Sequence, residues 1–290
     1  VSLDSQENAI AEQKIEEQII TLSTDKLKVD FTNVGGIPAQ VTLNGYKRYD
    51  SSDLVLFTED QHKFNYTIPK ANGTTLKTSD LEFKVKEQTE KSIRYVADLG
   101  NGAQITQEYT LQDDSYNIDY NVWFDNIDRI IAPNNPYAVL NWTSEIQSQE
   151  KTIDDEAQVT TVYYKYLGDD DLDNLSETKA DEETLNGSLK WISFKQKFFN
   201  QTLIHKDAFQ DEGIQVETKE AASEDYVKDL AASIYFPIES SRQAEEMTWF
   251  FGPNHYQTLK KEGIGLRKMI PLGWGIFGWV NKLLVIPVFN

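Results

Sequence analysis

Residues 27–46 read LKVDFTNVGGIPAQVTLNGY, and this stretch carries the pattern that decides the fold class. Leu27, Val29 and Phe31 alternate with polar residues, which is the period of two expected of a strand with one buried face. The pair Gly35 and Gly36 then predicts a turn, and residues 39–46 predict a second strand. The stretch therefore indicates β structure built from short strands.

The same pattern continues along most of the chain. Many short strands separated by turn signals, such as Asn72-Gly73 and Asn101-Gly102, are typical of a sandwich or barrel rather than of βαβ units. Helical patterning returns only at residues 256–261 and in the C-terminal tail. The other predicted strands are residues 53–58, 63–68, 82–87, 92–99, 103–111, 116–124, 137–146, 160–167, 189–194, 214–218 and 230–238.

The composition excludes several functional classes. The chain has 290 residues and a formal net charge of −19, so its surface repels phosphate backbones and no nucleic-acid partner is expected. It has no cysteine, which excludes disulfides, thiolate metal sites and a cysteine nucleophile.

No motif indicates an enzyme, a cofactor or a metal centre. The chain's three histidines, His62, His205 and His255, are far apart and form no paired motif. There is no nucleophile elbow, phosphate-binding loop or dinucleotide fingerprint. We therefore predict a protein without catalytic residues, cofactors or bound metal.

An acidic segment at residues 169–183 resembles part of a calcium loop. Three aspartates at alternate positions, starting from Asp169, match the first three ligand positions, but the sixth position is Asn174 and the twelfth is Ala180. A calcium loop requires glycine and glutamate there. We therefore predict a mobile, solvated loop without a bound ion.

The C-terminal residues 267–290 differ from the rest of the chain. Their apolar run, residues 269–280, has about 12 residues, short of the roughly 18–20 that span a bilayer. Tryptophan with flanking Arg and Lys is typical of an interfacial segment. A buried core helix is the alternative, but Gly273, Gly275 and Gly278 disfavour it. The predicted membrane-contacting residues are Ile270, Trp274, Phe277, Trp279, Lys282 and Leu284.

Two aromatic runs predict core packing. Residues 191–199 read WISFKQKFF, and residues 249–254 read WFFGPN. Large rings of this kind bury about 150–250 Å² each. We therefore predict that Trp191, Phe198 and Phe199 anchor the sandwich core, and that Gly252 and Pro253 set the turn from a strand into the helix at residues 256–261.

These runs, in their order, resemble the large periplasmic domain of the YidC family of bacterial membrane insertases. The first similar block is residues 24–29, followed by Gly35 and Gly36. The others are residues 191–199, residues 251–253 with the helix that follows, and residues 273–275 with the Pro-Val-Phe exit at 287–289. Two positions depart from the family pattern: Ser193 stands where alanine is usual, and Asn254 where lysine is frequent.

The resemblance implies a fold, a role and a place in the cell. The fold would be a mainly β, galactose-mutarotase-like β-supersandwich with C-terminal helices, spanning residues 23–266. Residues 1–22 would be a polar tether after a transmembrane anchor, and residues 267–290 a membrane-proximal segment leading to a second transmembrane helix. The domain would face the periplasm at the inner membrane.

Within such an insertase, the domain would be an accessory to the membrane-embedded machinery. The resemblance implies contacts with the Sec translocon components SecD and SecF, with client membrane proteins, and with the membrane surface through the C-terminal segment. The alternative on the same fold is a carbohydrate-binding or carbohydrate-active protein, whose acid–base chemistry would require histidine and glutamate in one cleft.

Overall fold

The structure, a computed structural model, describes residues 15–210, 213–221, 223 and 225–271. The described chain folds into nineteen strands and two short α-helices. The strands are β1 Ile19–Ser23, β2 Leu27–Thr32, β3 Ile37–Lys47, β4 Asp53–Phe57, β5 His62–Pro69, β6 Thr75–Lys77, β7 Lys84–Gln88, β8 Ser92–Gly100, β9 Ala103–Leu111, β10 Asn117–Asp125, β11 Tyr137–Gln147, β12 Thr161–Tyr166, β13 Asp173–Asn174, β14 Asp181–Leu185, β15 Leu189–Lys195, β16 Phe199–Phe209, β17 Ile214–Glu220, β18 Tyr226–Pro237 and β19 Arg242–Pro253. The helices are α1 Ile153–Ala157 and α2 Tyr256–Lys261.

The strands form three antiparallel sheets. A four-stranded sheet has the order β1-β2-β3-β4, and a six-stranded sheet has the order β14-β17-β18-β11-β5-β6. The largest sheet has nine strands in the order β13-β12-β15-β16-β19-β10-β9-β8-β7. The predicted mainly β fold is confirmed, and most predicted strands and the helix at residues 256–261 lie close to their expected bounds.

The main core lies where side chains of the sheets meet, and aromatic rings fill much of it. Trp142 of β11 stacks on Phe194 of β15 with ring centroids 3.7 Å apart. Trp249 of β19 meets Phe64 of β5 at 4.4 Å. All four rings are almost fully buried, so each contributes both area burial and ring–ring contact to the stability of the sandwich.

The predicted turn at Gly35 and Gly36 is present between β2 and β3. Both glycines have positive φ, +76° and +65°, a conformation that costs other residues energy. A Cβ at Gly36 would also lie 2.7 Å from the ring of Phe83. Gly36 is therefore required twice, by its backbone angle and by the close approach of a buried phenylalanine.

The N-terminal part of the described chain joins the first sheet. Residues 19–22 lie in β1, where Leu22 is the pairing partner of Val29. The main-chain N–H of Gln18 donates to Oδ1 of Asn33 at 2.7 Å. The predicted tether over residues 1–22 is therefore wrong for residues 19–22, because an edge strand with one buried side chain has almost no alternating pattern. Residues 1–14 lie outside the described residues.

The acidic segment is more ordered than predicted. Asp173–Asn174 pairs with β12, and Asp181–Leu185 pairs with β17. Between these strands, Lys228 donates from Nζ to the main-chain oxygen of Glu177 at 2.7 Å. The prediction of a loop throughout residues 169–183 is wrong for these positions, because strand pairing and a buried lysine hold them in place.

Candidate functional site

Trp191 packs outside the main core. It is fully buried in a second cluster on the other face of the nine-stranded sheet, with Leu259 of α2 and with Leu266 and Met269. Its Nε1 donates to the main-chain oxygen of Ile264 at 2.9 Å. The predicted place of Trp191 in the sandwich core is therefore corrected: this ring attaches the C-terminal helical segment to the sheet.

The last described residues extend this cluster. Met269 is buried, and Ile270 is partly buried against the same group. The packed domain thus continues past the boundary predicted at residue 266, and Ile270 contacts protein on at least one side. The other predicted membrane-contacting residues, Trp274, Phe277, Trp279, Lys282 and Leu284, lie outside the described residues.

The two neighbouring phenylalanines separate. Phe199 is buried at 7% exposure, and its ring meets Tyr46 edge-on with centroids 5.5 Å apart. Phe198 is 44% exposed. The prediction that Phe198 lies in the core is wrong, because it occupies the turn between β15 and β16, where its side chain points away from the sandwich.

Gly252 and Pro253 end β19 beside this turn. A Cβ at Gly252 would lie 2.5 Å from the ring of Phe250, so the strand end requires glycine for space. Pro253 pairs with Phe199 at the last register position between β16 and β19. The chain then passes through Asn254 into α2. Four residues of the two aromatic runs therefore lie together at one end of the nine-stranded sheet: Phe198, Phe199, Pro253 and Asn254.

At this end the structure has an open groove of about 500 Å³, which we call the aromatic groove. One wall is the turn between β3 and β4, and the other is the turn between β15 and β16 with the end of β19. Residues of the segment that follows β11 close it. The lining residues are Tyr46, Lys47, Arg48, Tyr49, Leu54, Gln149, Glu150, Phe198, Phe199, Pro253, Asn254 and His255.

Two exposed rings stand at the groove, each beside its own cation. Tyr49 is 59% exposed, with the Arg48 guanidinium 6.0 Å from its ring centroid. Phe198 has Lys197 Nζ at 5.2 Å from its centroid. An exposed aromatic side chain is a frequent anchor of binding surfaces, because covering its ring removes apolar area from water while the neighbouring cation can stay on the ring face.

Two residues that line the groove also carry buried polar atoms without partners. Gln149 is 4% exposed, and its Oε1 has no hydrogen-bond partner among the described residues; the same holds for Nε of Arg48. Burying an unpaired acceptor or donor costs about 1–3 kcal/mol. Both atoms are themselves buried, so they lie behind the groove's surface and their cost falls on the stability of this wall.

Glu156 of α1 holds the segment that carries Gln149. Its carboxylate accepts from the main-chain N–H of Gln149 at 3.0 Å and from Oγ of Ser148 at 2.6 Å. Burial raises the pKa of Glu156, while these two donors oppose that rise. The carboxylate thus fixes this wall of the groove, which sequence reasoning missed because helix α1 has only five residues.

The histidines do not form a catalytic pair with free nitrogens. His205 contacts Glu245 through Nε2 at 2.9 Å, and its Nδ1 accepts from the main-chain N–H of Asp207 at 3.1 Å. Both ring nitrogens are therefore occupied within the protein, although the pair lines a polar pocket. His62 is fully buried against Phe57, and burial lowers its pKa to about 3, so it is a neutral core residue.

In the described part of the chain, no group of three or more histidine, aspartate or glutamate side chains is placed to bind a metal ion. The helices of that part are too short and too polar to cross a bilayer.

Solved structures define the class of fold. A galactose mutarotase-like protein from Lactobacillus casei has a TM-score of 0.52 and 10% identity, covering 81% of this chain and 100% of that one. A putative aldose 1-epimerase from Escherichia coli has a TM-score of 0.50 and 10% identity, covering 81% and 99%. At this identity the likeness shows the fold alone: the domain is a galactose-mutarotase-like β-sandwich.

Sequence relatives define the family within that class. The YidC periplasmic domain family matches residues 19–286. The membrane protein insertase YidC of Parabacteroides distasonis is 32% identical over 284 residues, covering 94% of this chain and 44% of the relative. That of Porphyromonas gingivalis is 31% identical over 281 residues, covering 93% and 44%. The chain belongs to the YidC periplasmic domain family, which confirms the resemblance, and it spans less than half the length of these relatives.

Proposed function

We propose that this domain is the periplasm-facing accessory part of an inner-membrane insertase, where it assists the insertion and folding of membrane proteins. The observation that supports this most directly is the family match over residues 19–286. Relatives about 30% identical to the chain are insertases that are more than twice its length. The insertion step itself would belong to the remaining part of such a protein.

The domain would be attached to the membrane at its C-terminal side. Residues 267–290 would form a membrane-proximal segment, with Trp274, Phe277, Trp279, Lys282 and Leu284 at the lipid interface. The packing of Trp191 against residues 264–269 supports this arrangement. It would couple the nine-stranded sheet rigidly to the point where the chain approaches the bilayer.

The proposed partners are SecD and SecF together with client membrane proteins, and nucleic acid is not among them. Affinity purification of the complete insertase from membranes, with and without residues 19–269, tests the Sec contact. We expect SecD and SecF to co-purify only when the domain is present. Equal recovery from both forms would place the contact elsewhere in the insertase.

We further propose that the domain acts without catalysis, although mutarotase-like relatives in fold suggest a sugar-active alternative. The support is the His205–Glu245 pair, because each nitrogen of His205 already has a partner within the protein. Polarimetry of freshly dissolved α-D-galactose tests this. We expect the spontaneous rate with the protein present, and an accelerated rate that is lost in Glu245→Gln would contradict the proposal.

A further inference from the structure

We propose that residues 168–172, which we call the acidic strap, form a latch over the C-terminal segment, and that an anionic lipid surface opens this latch. The inference rests on the proposed function, since that function brings the C-terminal segment to the bilayer. It goes beyond the function by assigning a regulatory contact: the closed strap occupies a cation that membrane phosphates would otherwise bind.

The strap is attached at both ends and can move between them. At its start, the main-chain N–H of Leu167 donates to the main-chain oxygen of Ser188 at 2.8 Å. After its end, Asp173 pairs with Tyr164 in the sheet. Gly168 has a φ of +87°, and no other residue lies within 4 Å of the place of a Cβ, so it is suited to act as a hinge. The strap can therefore move away while the strands on both sides stay paired.

Two lysines hold the closed strap. Lys268 donates from Nζ to the main-chain oxygen of Asp170, and the same nitrogen lies 3.8 Å from a carboxylate oxygen of Asp171. Lys165 donates from Nζ to the main-chain oxygen of Asp169. Lys165 belongs to β12, whereas Lys268 belongs to the C-terminal segment. The Lys268 contacts therefore join the strap to the part of the chain that approaches the bilayer in the proposed function.

The strap also makes an apolar contact with the C-terminal segment. Leu172 is partly buried against the cluster that contains Trp191, Leu266 and Met269. Met269 directly follows Lys268 in the sequence, so the apolar contact and the cationic contact fall on the same turn. Because one short segment makes both contacts, losing either of them loosens the other.

The cationic contact is suited to exchange with lipid. The side chain of Lys268 is 38% exposed and that of Asp171 is fully exposed, and ion pairs this exposed are weak because water and salt screen them. An anionic membrane attracts a lysine near its surface and repels the three aspartates of the strap. Both effects act in one direction: Lys268 passes from the strap to lipid phosphate, and the strap moves away.

Spin labelling of the whole 290-residue chain tests the inference, because the absence of native cysteine lets a nitroxide be placed at one chosen position. Asp170→Cys carries the label, since Asp170 accepts from Lys268 through its main-chain oxygen. Leu167→Cys, exposed just outside the strap, is the control position. The probes are vesicles of phosphatidylcholine with and without phosphatidylglycerol, and inorganic phosphate alone.

We expect the label at position 170 to be restricted in the lipid-free chain, and its mobile fraction to rise at least twofold with vesicles that contain phosphatidylglycerol. Phosphatidylcholine alone and inorganic phosphate should leave the spectrum unchanged, and position 167 should not respond to any probe. With Lys268→Gln added, position 170 should be mobile before any lipid is present. Lys260→Gln, which changes an exposed cation of α2, should leave it restricted.

Three results would overturn the proposal. An equal mobile fraction at position 170 with and without Lys268→Gln would show that Lys268 does not hold the strap. An unchanged spectrum with phosphatidylglycerol vesicles would show that anionic lipid does not open it. An equal response to phosphatidylcholine or to inorganic phosphate would exclude an anionic surface as the trigger. If the chain still co-sediments with vesicles in the second case, the strap fails while the proposed membrane contact stands, and co-purification of SecD and SecF is a separate test.

Discussion

The side-chain amide of Asn254 donates from Nδ2 to the main-chain oxygen of Gln196 at 2.8 Å. The same nitrogen lies 3.1 Å from the carbonyl oxygen of Phe199, and the Asn254 main-chain N–H donates to the carbonyl of Phe198 at 2.6 Å. One residue at the end of β19 thus satisfies several carbonyls of the turn that presents Phe198. These bonds hold the turn that forms one wall of the aromatic groove.

Asn254→Ala is expected to lower the free energy of unfolding by about 1–3 kcal/mol, because it removes the side-chain donor of the Gln196 carbonyl. Chemical denaturation measures the change. Asn72→Ala is the matched control: Asn72 also bonds within a turn, but that turn is exposed, so a change of roughly 0.5 kcal/mol or less is expected. Equal losses of unfolding free energy in both variants would show that the Asn254 contacts stabilise the protein no more than those of an exposed turn.

The two neighbouring phenylalanines should respond differently to truncation. Phe199→Ala removes a buried ring from its contact with Tyr46 and is expected to cost about 3–5 kcal/mol. Phe198→Ala removes a ring that is 44% exposed and is expected to cost less than about 1 kcal/mol. Thermal and denaturant unfolding of both variants would test this. A large loss of stability in Phe198→Ala would show that the ring of Phe198 packs in the core.

The buried His62 makes stability depend on pH. Its pKa is lowered by burial from 6.5 to about 3, so the unfolded chain takes up a proton below pH 6.5 that the folded chain does not. The free energy of unfolding should therefore fall by about 1.4 kcal/mol per pH unit from this residue as pH drops from 6.5 toward 3. Above pH 6.5 this contribution is constant.

His62→Leu should remove that slope, and it also removes two ring nitrogens that have no hydrogen-bond partner among the described residues. Denaturant unfolding between pH 4.5 and 8 measures the difference from the unaltered chain. His255→Gln, which changes an exposed histidine, is the control. If His62→Leu and the unaltered chain keep parallel pH profiles, the residue does not titrate as its burial implies.

The C-terminal segment is expected to bind vesicles that contain phosphatidylglycerol. Trp274→Ser with Phe277→Ser should weaken co-sedimentation several-fold and reduce the blue shift of tryptophan emission, because both changes remove apolar rings from the interface. Leu167→Ser, an exposed position in the described part of the chain, should leave binding unchanged. Vesicle binding that is equally strong in the double variant would exclude these two rings as the contact.

Many of the strands could be predicted from the local alternation of apolar and polar residues. Alternation at Leu27, Val29 and Phe31 predicts β2, and each of these side chains is fully buried. Strand β16 escaped prediction because residues on both of its faces are buried, at Phe199–His205 without interruption. A strand covered on both sides, here by the core and by the Trp191 cluster, has no polar face and so no period of two.

Only part of the aromatic groove could be predicted from the sequence. The aromatic runs drew attention to Phe198, Phe199 and Pro253, but nothing near them indicates that the turn carrying Tyr49 lies opposite. That juxtaposition arises where the four-stranded sheet packs against the nine-stranded sheet, as in the contact of Tyr46 with Phe199, and such packing leaves no local signal. The available signal was Tyr49 itself, an aromatic residue beside Arg48 in a turn otherwise rich in serine and aspartate.

Site-specific photo-cross-linking in the complete insertase tests the central claim most directly. A photoreactive residue replaces Phe198 in one form and Val85 in the other; Val85 is 41% exposed on the edge strand β7, so the two positions are similarly accessible. With a membrane protein arrested during insertion, we predict adducts to that client or to SecD and SecF from position 198 and none from position 85. Adducts of equal yield at both positions, or none from position 198, would contradict the account of the aromatic groove as a contact surface of the domain.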